Sequence, residues 1–272
     1  MKRILTVQDI SCLGKCSLTV ALPILSALGV ETAVLPTAVL STHTAFPNPA
    51  ICDLTAQIPS IVEHWQTIGA EFDGIYSGYL GSPEQVDGVL ELAQRFAPGM
   101  LFVDPVMGDN GKLYSGFDAA FVEKMKTLCA KAQVIVPNIT EACLLTDTPY
   151  CSQPDEAFVE QLLAKLSSLC PGTVLLTGAA GKPGITGAVG RDREGNTFSY
   201  FREKLSQNFH GTGDAFSAVC AGMLLQGKSL AQTLPLAAEF TARCIQFTME
   251  ENRDKRYGLC FEKALPYLCE KT

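Results

Sequence analysis

The sequence predicts an α/β fold: a single three-layer domain in which helices cover both faces of a mostly parallel central sheet. Two observations predict it. Short runs rich in β-branched residues alternate with segments of helical apolar spacing over nearly the whole chain. No segment rich in proline, glycine or serine divides the chain and no internal repeat is visible, so residues 1–272 are predicted to form one domain.

Strands are predicted where short apolar runs lie between turn-forming residues. In chain order they cover residues 3–8, 32–35, 74–77, 101–104, 134–136, 174–177, 186–190 and 197–201. The last two are separated by a polar, glycine-containing spacer, which predicts an antiparallel pair.

Helices are predicted between the strands from apolar residues at helical spacing. They cover residues 17–28, 53–68, 83–96, 118–131, 139–146, 155–169, 214–226, 230–250 and 261–269. In the second of them Leu54, Ile58, Ile61 and Trp65 fall on one face.

The composition limits the classes of protein to consider. Of 272 residues, 47% are hydrophobic and 18% are charged, which excludes a disordered chain. The formal net charge is −7 and no basic cluster stands out, so nucleic acid is disfavoured as a partner. The apolar stretch 20–40 is interrupted by prolines, a glycine and a glutamate, so no membrane span and no membrane partner is expected.

The eleven cysteines predict free thiols rather than a disulfide framework. Their number is odd, no pair has C-x-x-C spacing, and several lie in apolar runs, where cysteine behaves as a small hydrophobe. With only three histidines, a zinc site is not expected. The first apolar run ends at Gln8-Asp9 and is too short for a signal peptide, so we expect a reducing, cytoplasmic location.

The strongest chemical motif is the segment 210–216, which reads His-Gly-Thr-Gly-Asp-Ala-Phe and leads into an apolar helix. Gly211 and Gly213 allow the backbone to approach a ligand, and the helix start favours an anion. Asp214 would then stand beside a phosphoryl group, placed to take a proton from an attacking hydroxyl. The alternative is an ordinary glycine turn with a favourable acid in the first helical turn. Neither the P-loop nor the dinucleotide fingerprint occurs.

A second candidate is the segment 104–114. Asp104 ends a buried-looking strand, and a loop with two glycines and a second acid, Asp109, follows it. Such a loop suits a metal–phosphate group over which it folds. The alternative is a solvated turn with Asn110 and Gly111 at its tip. We favour function for Asp104 and the turn for Asn110.

A third candidate is Asn138 with Glu141, directly after the strand 134–136. The spacing matches a capping box. The functional interpretation places the Glu141 carboxylate near a magnesium-bound phosphate. The two roles are compatible, and the residues alone do not decide between them.

Weaker candidates follow other strands. Asp9 ends the first strand, His43 and Thr44 follow a strand-like run, and Tyr79 follows the strand 74–77. Parallel sheets bind ligands at these positions. A single histidine or tyrosine there more often packs than binds.

Together these segments resemble the pyridoxal kinase family of the ribokinase-like superfamily. The resemblance extends from Ile4 to Phe247 and rests on ordered landmarks. These are residues 8–9, 41–44, 77–79, 104–109, Asn138 with Glu141, and 211–214. The last landmark identifies the superfamily, and residues 78–79 and 104–109 are similar to vitamin B6 kinases within it.

The resemblance implies transfer of the ATP γ-phosphoryl group to the 5′-hydroxymethyl group of pyridoxal, pyridoxine or pyridoxamine. It also implies Mg²⁺, a monovalent cation (K⁺ or Na⁺), and a cytosolic homodimer whose site is covered by a loop. The implied catalytic group consists of Asp214 as base and Gly211, Thr212 and Gly213 as anion hole. The implied ATP-binding residues are Asp104, Asp109, Asn138, Thr177 and Gly178, with Glu141 and Asp104 at the metal. The implied vitamin pocket contains Asp9, Thr44 and Tyr79.

Two departures from the family pattern fall at the substrate pocket. Asp9 stands where many relatives have serine and is followed by residues 10–17, which carry two cysteines, and residues 44–49 carry two prolines where a glycine-richer loop is expected. An acid at position 9 would pair with the pyridinium nitrogen or with the amine of pyridoxamine. Alternatively, Asp9 turns away and binds backbone amides near Ser11 or Leu13.

Three other functions are weighed against this one. A hydroxymethylpyrimidine kinase of thiamine synthesis is the nearest, but its Ser-Gly-Gly first loop is not matched by residues 11–14. A sugar kinase is disfavoured because no separate lid-like strand pair is expected in the first third of the chain. A non-catalytic vitamin B6-binding protein is disfavoured by the intact Asp214 and its two glycines.

Overall fold

The computed structural model describes residues 1–180, 182, 184–207, 209–251 and 254–271. Within these residues, nine strands form a central sheet and two more form a hairpin. The strands are β1 (Arg3–Ser11), β2 (Glu31–Leu40), β3 (Ile51–Asp53), β4 (Gly74–Ser77), β5 (Met100–Val103), β6 (Gly108–Asp109), β7 (Lys112–Leu113), β8 (Val134–Ile135), β9 (Thr173–Thr177), β10 (Ile185–Arg191) and β11 (Thr197–Glu203). Across the central sheet their order is β11-β10-β9-β8-β5-β4-β1-β2-β3.

The helices connect these strands. They are α1 (Leu18–Ala27), α2 (Ile58–Thr67), α3 (Pro83–Phe96), α4 (Ala119–Cys129), α5 (Ile139–Leu145), α6 (Glu156–Leu169), α7 (Thr212–Leu225), α8 (Leu230–Glu250) and α9 (Leu265–Cys269). Short 3₁₀ turns cover Thr55–Gln57 and Lys255–Tyr257. The existence and order of the predicted helices are confirmed. The tail helix is shorter than expected, and the helix predicted over 53–68 begins only at Ile58, because β3 and a 3₁₀ turn occupy its expected start.

The middle of the sheet is parallel. β1 pairs in parallel with β2 and β4, and the parallel pairing continues through β5, β8 and β9. Every residue of β4 and β5 is buried, as expected for strands covered on both faces. The antiparallel pair β10–β11 is confirmed. The carboxyl ends of the parallel strands therefore meet at one edge of the sheet.

Each face of the sheet has its own apolar core. One core contains apolar residues of α2 to α6, and the other contains residues of α1, α7, α8 and α9. Tyr76 and Phe102 on neighbouring strands pack edge to face inside the second core, with ring centroids 5.0 Å apart. The predicted three-layer α/β class is thus confirmed.

Three short strands are absent from the sequence prediction. β3 pairs antiparallel with the end of β2, and β6 and β7 form a separate two-stranded hairpin. β3 extends the edge of the central sheet beyond β2 and is not part of a separate strand pair, so it does not contradict the expectation about a lid-like pair in the first third of the chain. β3 is three exposed residues long, too short to show an alternating pattern.

Two further observations concern membrane-spanning helices and the cysteines. In the part of the chain that the structure describes, no helix is both long and apolar enough to cross a membrane. All eleven cysteines lie in the described residues and are free thiols.

Candidate active site

The candidate site lies at the edge where β1, β4, β5, β8 and β9 end, facing the start of α7. β1 contributes Asp9, β5 is followed by Asp104, and β8 is followed by Asn138. The sheet places these side chains on one side of the molecule because its parallel strands end together. α7 begins two residues after His210 and carries Asp214 in its first turn.

The turn before α7 requires glycine for two reasons. Gly211, the N-cap residue, has φ +84°. A Cβ atom there would lie 2.9 Å from the Lys15 carbonyl oxygen. Gly213, by contrast, faces open space. Because the first N–H groups of a helix have no partner within it, the start of α7 presents donors and the positive end of its dipole to that space.

One oxygen of the Asp214 carboxylate is held by the segment before α1. The Ser17 amide donates to Oδ2 at 2.9 Å, and the Cys16 thiol donates to the same oxygen at 3.5 Å. In the described part of the chain, Oδ1 carries no hydrogen bond. Burial raises the pKa of Asp214, and the Ser17 amide opposes the rise.

Burial also raises the pKa of the Cys16 thiol well above its usual range, and the negative charge of Asp214 adds to the rise. The thiol therefore stays protonated near neutral pH and remains a donor. Asp214 thus has one restrained oxygen and one free oxygen.

A buried hydrogen bond connects α7 to the middle of the sheet. Ser217, one turn after Asp214, donates to Asp104 Oδ2 at 2.6 Å. Burial raises the pKa of Asp104 to about 7, and the nearby Asp214 charge contributes to the rise. The two aspartates are therefore fixed relative to one another by a single helical turn.

Glu141 does form the predicted capping box. The Asn138 side chain accepts from the Glu141 amide at 3.0 Å, and Glu141 Oε2 accepts from the Asn138 amide at 2.8 Å. The other oxygen, Oε1, accepts from the Met107 amide at 3.2 Å. Burial and the neighbouring Asp104 raise the pKa of Glu141 well above its usual range. Backbone donors at Asn138, Met107 and Gly108 oppose the rise. A carboxylate has about four acceptor sites, so capacity for a further partner remains.

Asp104 and Glu141 suit a divalent cation. Both are buried acids near one another, and no cation is among the groups that perturb either pKa. Among the described residues no cluster of three or more His, Cys, Asp or Glu side chains forms a complete metal cage. Magnesium typically uses one or two carboxylates together with water and substrate phosphates, so two carboxylates fit this ion.

The hairpin β6–β7 lies beside this pair. Asp109 is exposed and accepts from the Asn110 amide at 2.8 Å, while Asn110 and Gly111 at the tip have φ of +51° and +78°. The prediction of a turn at Asn110 is therefore confirmed. Asn138 Nδ2 donates to the Gly108 carbonyl at 2.9 Å and ties the hairpin to the start of α5.

Thr177 and Gly178 lie at the neighbouring strand end. Thr177 forms an isolated bridge with Asn138, and its amide donates to the Pro137 carbonyl at 3.0 Å. Gly178 has φ +72°, so the chain turns sharply as β9 ends. The predicted ATP-binding residues Asn138, Thr177 and Gly178 are thus contiguous.

On the other side of the site, Asp9 is 5% exposed. It accepts from the Ser11 hydroxyl at 3.2 Å. Burial raises the pKa of Asp9, and the hydroxyls of Ser17 and Ser11 oppose the rise. The Asp9 charge in turn contributes to the raised pKa of Tyr79, whose main cause is burial, and to that of Asp214. Asp9 therefore shares one electrostatic environment with both residues.

The remaining predicted pocket residues differ in position. Tyr79 is partly exposed and packs beside Phe117, with ring centroids 5.7 Å apart. Thr44 is exposed, and no hydrogen bond of its side chain is seen in the described residues. Its neighbour His43 is buried instead and packs against His210, with ring centroids 4.8 Å apart.

Four site residues are given no role by the sequence interpretation. They are Cys16, Ser17, His210 and Ser217. Cys16 belongs to a segment that departs from the family pattern, and this is the only sequence signal that marked it. His210 precedes the glycine turn, and Ser217 is one helical turn beyond Asp214. The motif therefore indicated this part of the chain, but it predicted no contact for either residue.

Comparisons with known proteins bear on this arrangement. The family model of phosphomethylpyrimidine kinase matches residues 26–258. Pyridoxal kinase from Lactobacillus plantarum is 34% identical, with a TM-score of 0.93 over 99% of this chain and 97% of that one. A Bacteroides thetaiotaomicron protein described as a candidate phosphomethylpyrimidine kinase, crystallised with pyridoxal, is 38% identical, with a TM-score of 0.93 over 98% of this chain and 95% of that one. Pyridoxal kinase of Arabidopsis thaliana is 26% identical over 94% of this chain and 84% of its own length.

The sheet topology and these relatives define the class of protein: a kinase of the ribokinase-like superfamily. The resemblance stated from the sequence is confirmed. More particularly, the chain belongs to the phosphomethylpyrimidine kinase family and, within it, to the vitamin B6 kinases.

Proposed function

We propose that the enzyme transfers the γ-phosphoryl group of ATP to the 5′-hydroxymethyl group of a vitamin B6 vitamer. One observation carries the proposal: Asp214 holds one oxygen on the Ser17 amide while the other is free, beside the open start of α7. This is the geometry that a base needs when it stands next to a transferring phosphoryl group.

Asp214 orients the attacking hydroxyl and accepts its proton on Oδ1. The vitamer oxygen forms a bond to the γ-phosphorus, the bond from that phosphorus to the bridging oxygen breaks, and ADP leaves. The raised pKa of Asp214 makes it a stronger base than an exposed aspartate. Because the transition state of phosphoryl transfer is loose, positioning of the hydroxyl contributes alongside proton removal.

The residues Gly211, Thr212 and Gly213 form the anion hole. Their amides lie in the glycine turn and first turn of α7, where N–H groups lack helical partners. They stabilise negative charge on the phosphoryl oxygens as it develops. Gly213 has room above it for such a group because a Cβ atom at that position meets nothing within 4 Å.

Asp104 and Glu141 hold the magnesium ion, which neutralises phosphate charge when bound. Asn138, Thr177 and Gly178 line the nucleotide side next to them, and Asp109 lies on the hairpin beside that surface. Both acids have raised pKa values, and no cation is among the groups that perturb them. A divalent cation would stabilise their charged forms, which supports this assignment.

Asp9 and Tyr79 line the vitamer side, with Thr44 at the rim. The electrostatic influence of Asp9 on Tyr79 and Asp214 supports a common pocket. An acid here would attract the pyridinium nitrogen or the amine of pyridoxamine. The contact to the Ser11 hydroxyl supports part of the rival interpretation, in which Asp9 serves its own loop.

A hydroxymethylpyrimidine kinase is the second candidate, and the match to the phosphomethylpyrimidine kinase family model favours it. Phosphorylation assays with pyridoxal, pyridoxine, pyridoxamine and hydroxymethylpyrimidine side by side distinguish the two. We expect at least one vitamer to have a higher kcat/KM than the pyrimidine. A higher value for the pyrimidine contradicts the proposal, and tight vitamer binding without ATP turnover indicates a non-catalytic binding protein.

We further propose a cytosolic homodimer that uses K⁺ or Na⁺ as an accessory cation, as the family implies. The free cysteines support a reducing compartment. Light scattering after size-exclusion chromatography measures the oligomeric state. Turnover in buffers that contain K⁺, Na⁺ or a large organic cation measures the ion requirement.

A further inference from the structure

Ser17 has a backbone conformation that is unusual for serine. Its φ of +51° and ψ of −125° are close to the first central residue of a type II′ turn, a position dominated by glycine. A residue with a side chain is strained there, and such strain typically occurs at functional sites. Ser17 is 4% exposed, so the residues packed around it hold it in this conformation.

This backbone conformation determines the hydrogen bond that the Ser17 amide makes. It directs the Ser17 amide to Asp214 Oδ2 at 2.9 Å, across 197 positions of sequence. Glycine would donate the same amide and adopt the same angles with less strain. The amide alone therefore does not account for a serine at this position.

The Ser17 hydroxyl is not used by the helix that follows. Ser17 is the N-cap residue of α1, yet its side chain makes no capping hydrogen bond. The hydroxyl lies 3.8 Å from Cys16 Sγ, a long contact to a weak acceptor. Ser17 also forms an isolated bridge with Ile10, which places it against β1 beside Asp9. Consistent with this, the Ser17 hydroxyl opposes the rise in the pKa of Asp9.

We propose that Ser17 is a positioning residue for both acids of the site: its amide fixes Asp214, and its hydroxyl orients Asp9 toward the vitamer. This inference rests on the proposed function. The strained backbone allows one residue to reach both acids, so the chain keeps a serine where glycine would be more stable.

The test compares Ser17→Gly and Ser17→Ala with the wild-type enzyme. Ser17→Gly removes the strain and the hydroxyl, so we expect the melting temperature to rise by about 2–6 °C while kcat/KM for the vitamer falls roughly 5- to 50-fold. Ser17→Ala keeps the strain and the amide but lacks the hydroxyl. We expect it to raise the vitamer KM by a similar factor, with kcat and the ATP KM within about threefold of wild type.

Ala97→Gly is the matched control. Ala97 also has a positive φ, +41°, but it is exposed at the end of α3 and far from the site in the fold. This variant should be more stable, with unchanged kinetics. The control therefore shows the effect of relieving backbone strain alone, without the loss of a hydroxyl group.

The outcomes are distinct. A Ser17→Gly enzyme that is more stable and fully active overturns the inference, because the hydroxyl then has no role. A Ser17→Gly enzyme that is less stable also overturns it, because the hydroxyl would then support the fold. If the wild-type enzyme phosphorylates no vitamer, the proposed function itself fails, before any variant is compared.

Discussion

The two acidic regions of the site are held in different ways. Asp214 is restrained by a loop distant in sequence, through the amide of Ser17, whose backbone is strained, and the partly buried Cys16 thiol. Glu141 is restrained by its own helix start, through an ordinary capping box. The group that we propose accepts a proton has both donors on one oxygen and its other oxygen free. The group suited to a cation has a backbone donor on each oxygen. The difference predicts which substitutions affect chemistry and which affect stability.

The largest expected effect on turnover is at Asp214. We expect Asp214→Ala or Asp214→Asn to lower kcat by roughly 10²–10⁴-fold. Burial raises the pKa of Asp214, so its charged form destabilises the fold above that pKa. Asp214→Asn should therefore be at least as stable as wild type near neutral pH. Turnover and thermal unfolding of the same preparations measure both effects, and a folded Asp214→Ala enzyme with near-normal turnover would refute the base assignment.

The next largest effect is expected at Glu141. Glu141→Gln retains much of the capping geometry but removes the charge. If Glu141 supports magnesium, activity at limiting magnesium should fall about 100-fold and partly recover at high magnesium. If it only caps α5, the loss should appear as stability, about 1 kcal/mol or less. A magnesium titration of turnover decides between them.

Asp155→Ala is the control for the capping interpretation. Asp155 is the exposed N-cap of α6 and accepts from the Phe158 amide at 2.8 Å. Its loss should cost about 1 kcal/mol of stability without changing the magnesium dependence. Unchanged activity of Glu141→Gln across the titration would leave Glu141 with the capping role alone.

The sequence predicts the two regions unequally. The capping box has a local signature, and it appears where the spacing of Asn138 and Glu141 placed it. Likewise β4 and α3 have the predicted bounds, because apolar runs and caps within each segment determine them. Such features are encoded by residues a few positions apart.

The restraint on Asp214 has no such signature. Ser17 and Asp214 are 197 positions apart, and no local pattern predicts their contact. Nor does a pattern predict a positive φ at a serine, because that conformation is imposed by tertiary packing. Short elements such as β3 and the hairpin β6–β7 were missed for a simpler reason, since two or three residues show no periodicity.

A smaller effect concerns the vitamer pocket. We expect pyridoxamine to be a good substrate and Asp9→Ser to weaken it relative to pyridoxal. A charge-assisted hydrogen bond is worth about 1.5–3 kcal/mol, so the ratio of kcat/KM values should shift about 10- to 100-fold. Asp9→Asn, which keeps the shape without the charge, should give a similar shift. Equal losses for both vitamers, or none, would show that Asp9 does not recognise the amine.

The smallest expected effect separates the two donors on Asp214. Cys16 donates at 3.5 Å, and this bond lowers the pKa of Asp214. Cys16→Ala removes the donor, so the pKa of Asp214 should rise further. Because Asp214, as the proposed base, works in its ionised form, the acid limb of the pH–rate profile should move to higher pH. Well above that limb, where Asp214 is ionised in both proteins, kcat should stay within about threefold of wild type.

Cys12→Ala is the matched control for this shift, because Cys12 lies in the same loop but is exposed. It should leave the pH–rate profile unchanged. Cys16→Ser, which supplies a hydroxyl donor, should return the acid limb toward its wild-type position. If Cys16→Ala leaves the limb in place, or moves it to lower pH, the thiol does not restrain the base. The Ser17 amide would then be the main donor that holds Asp214 Oδ2 in place.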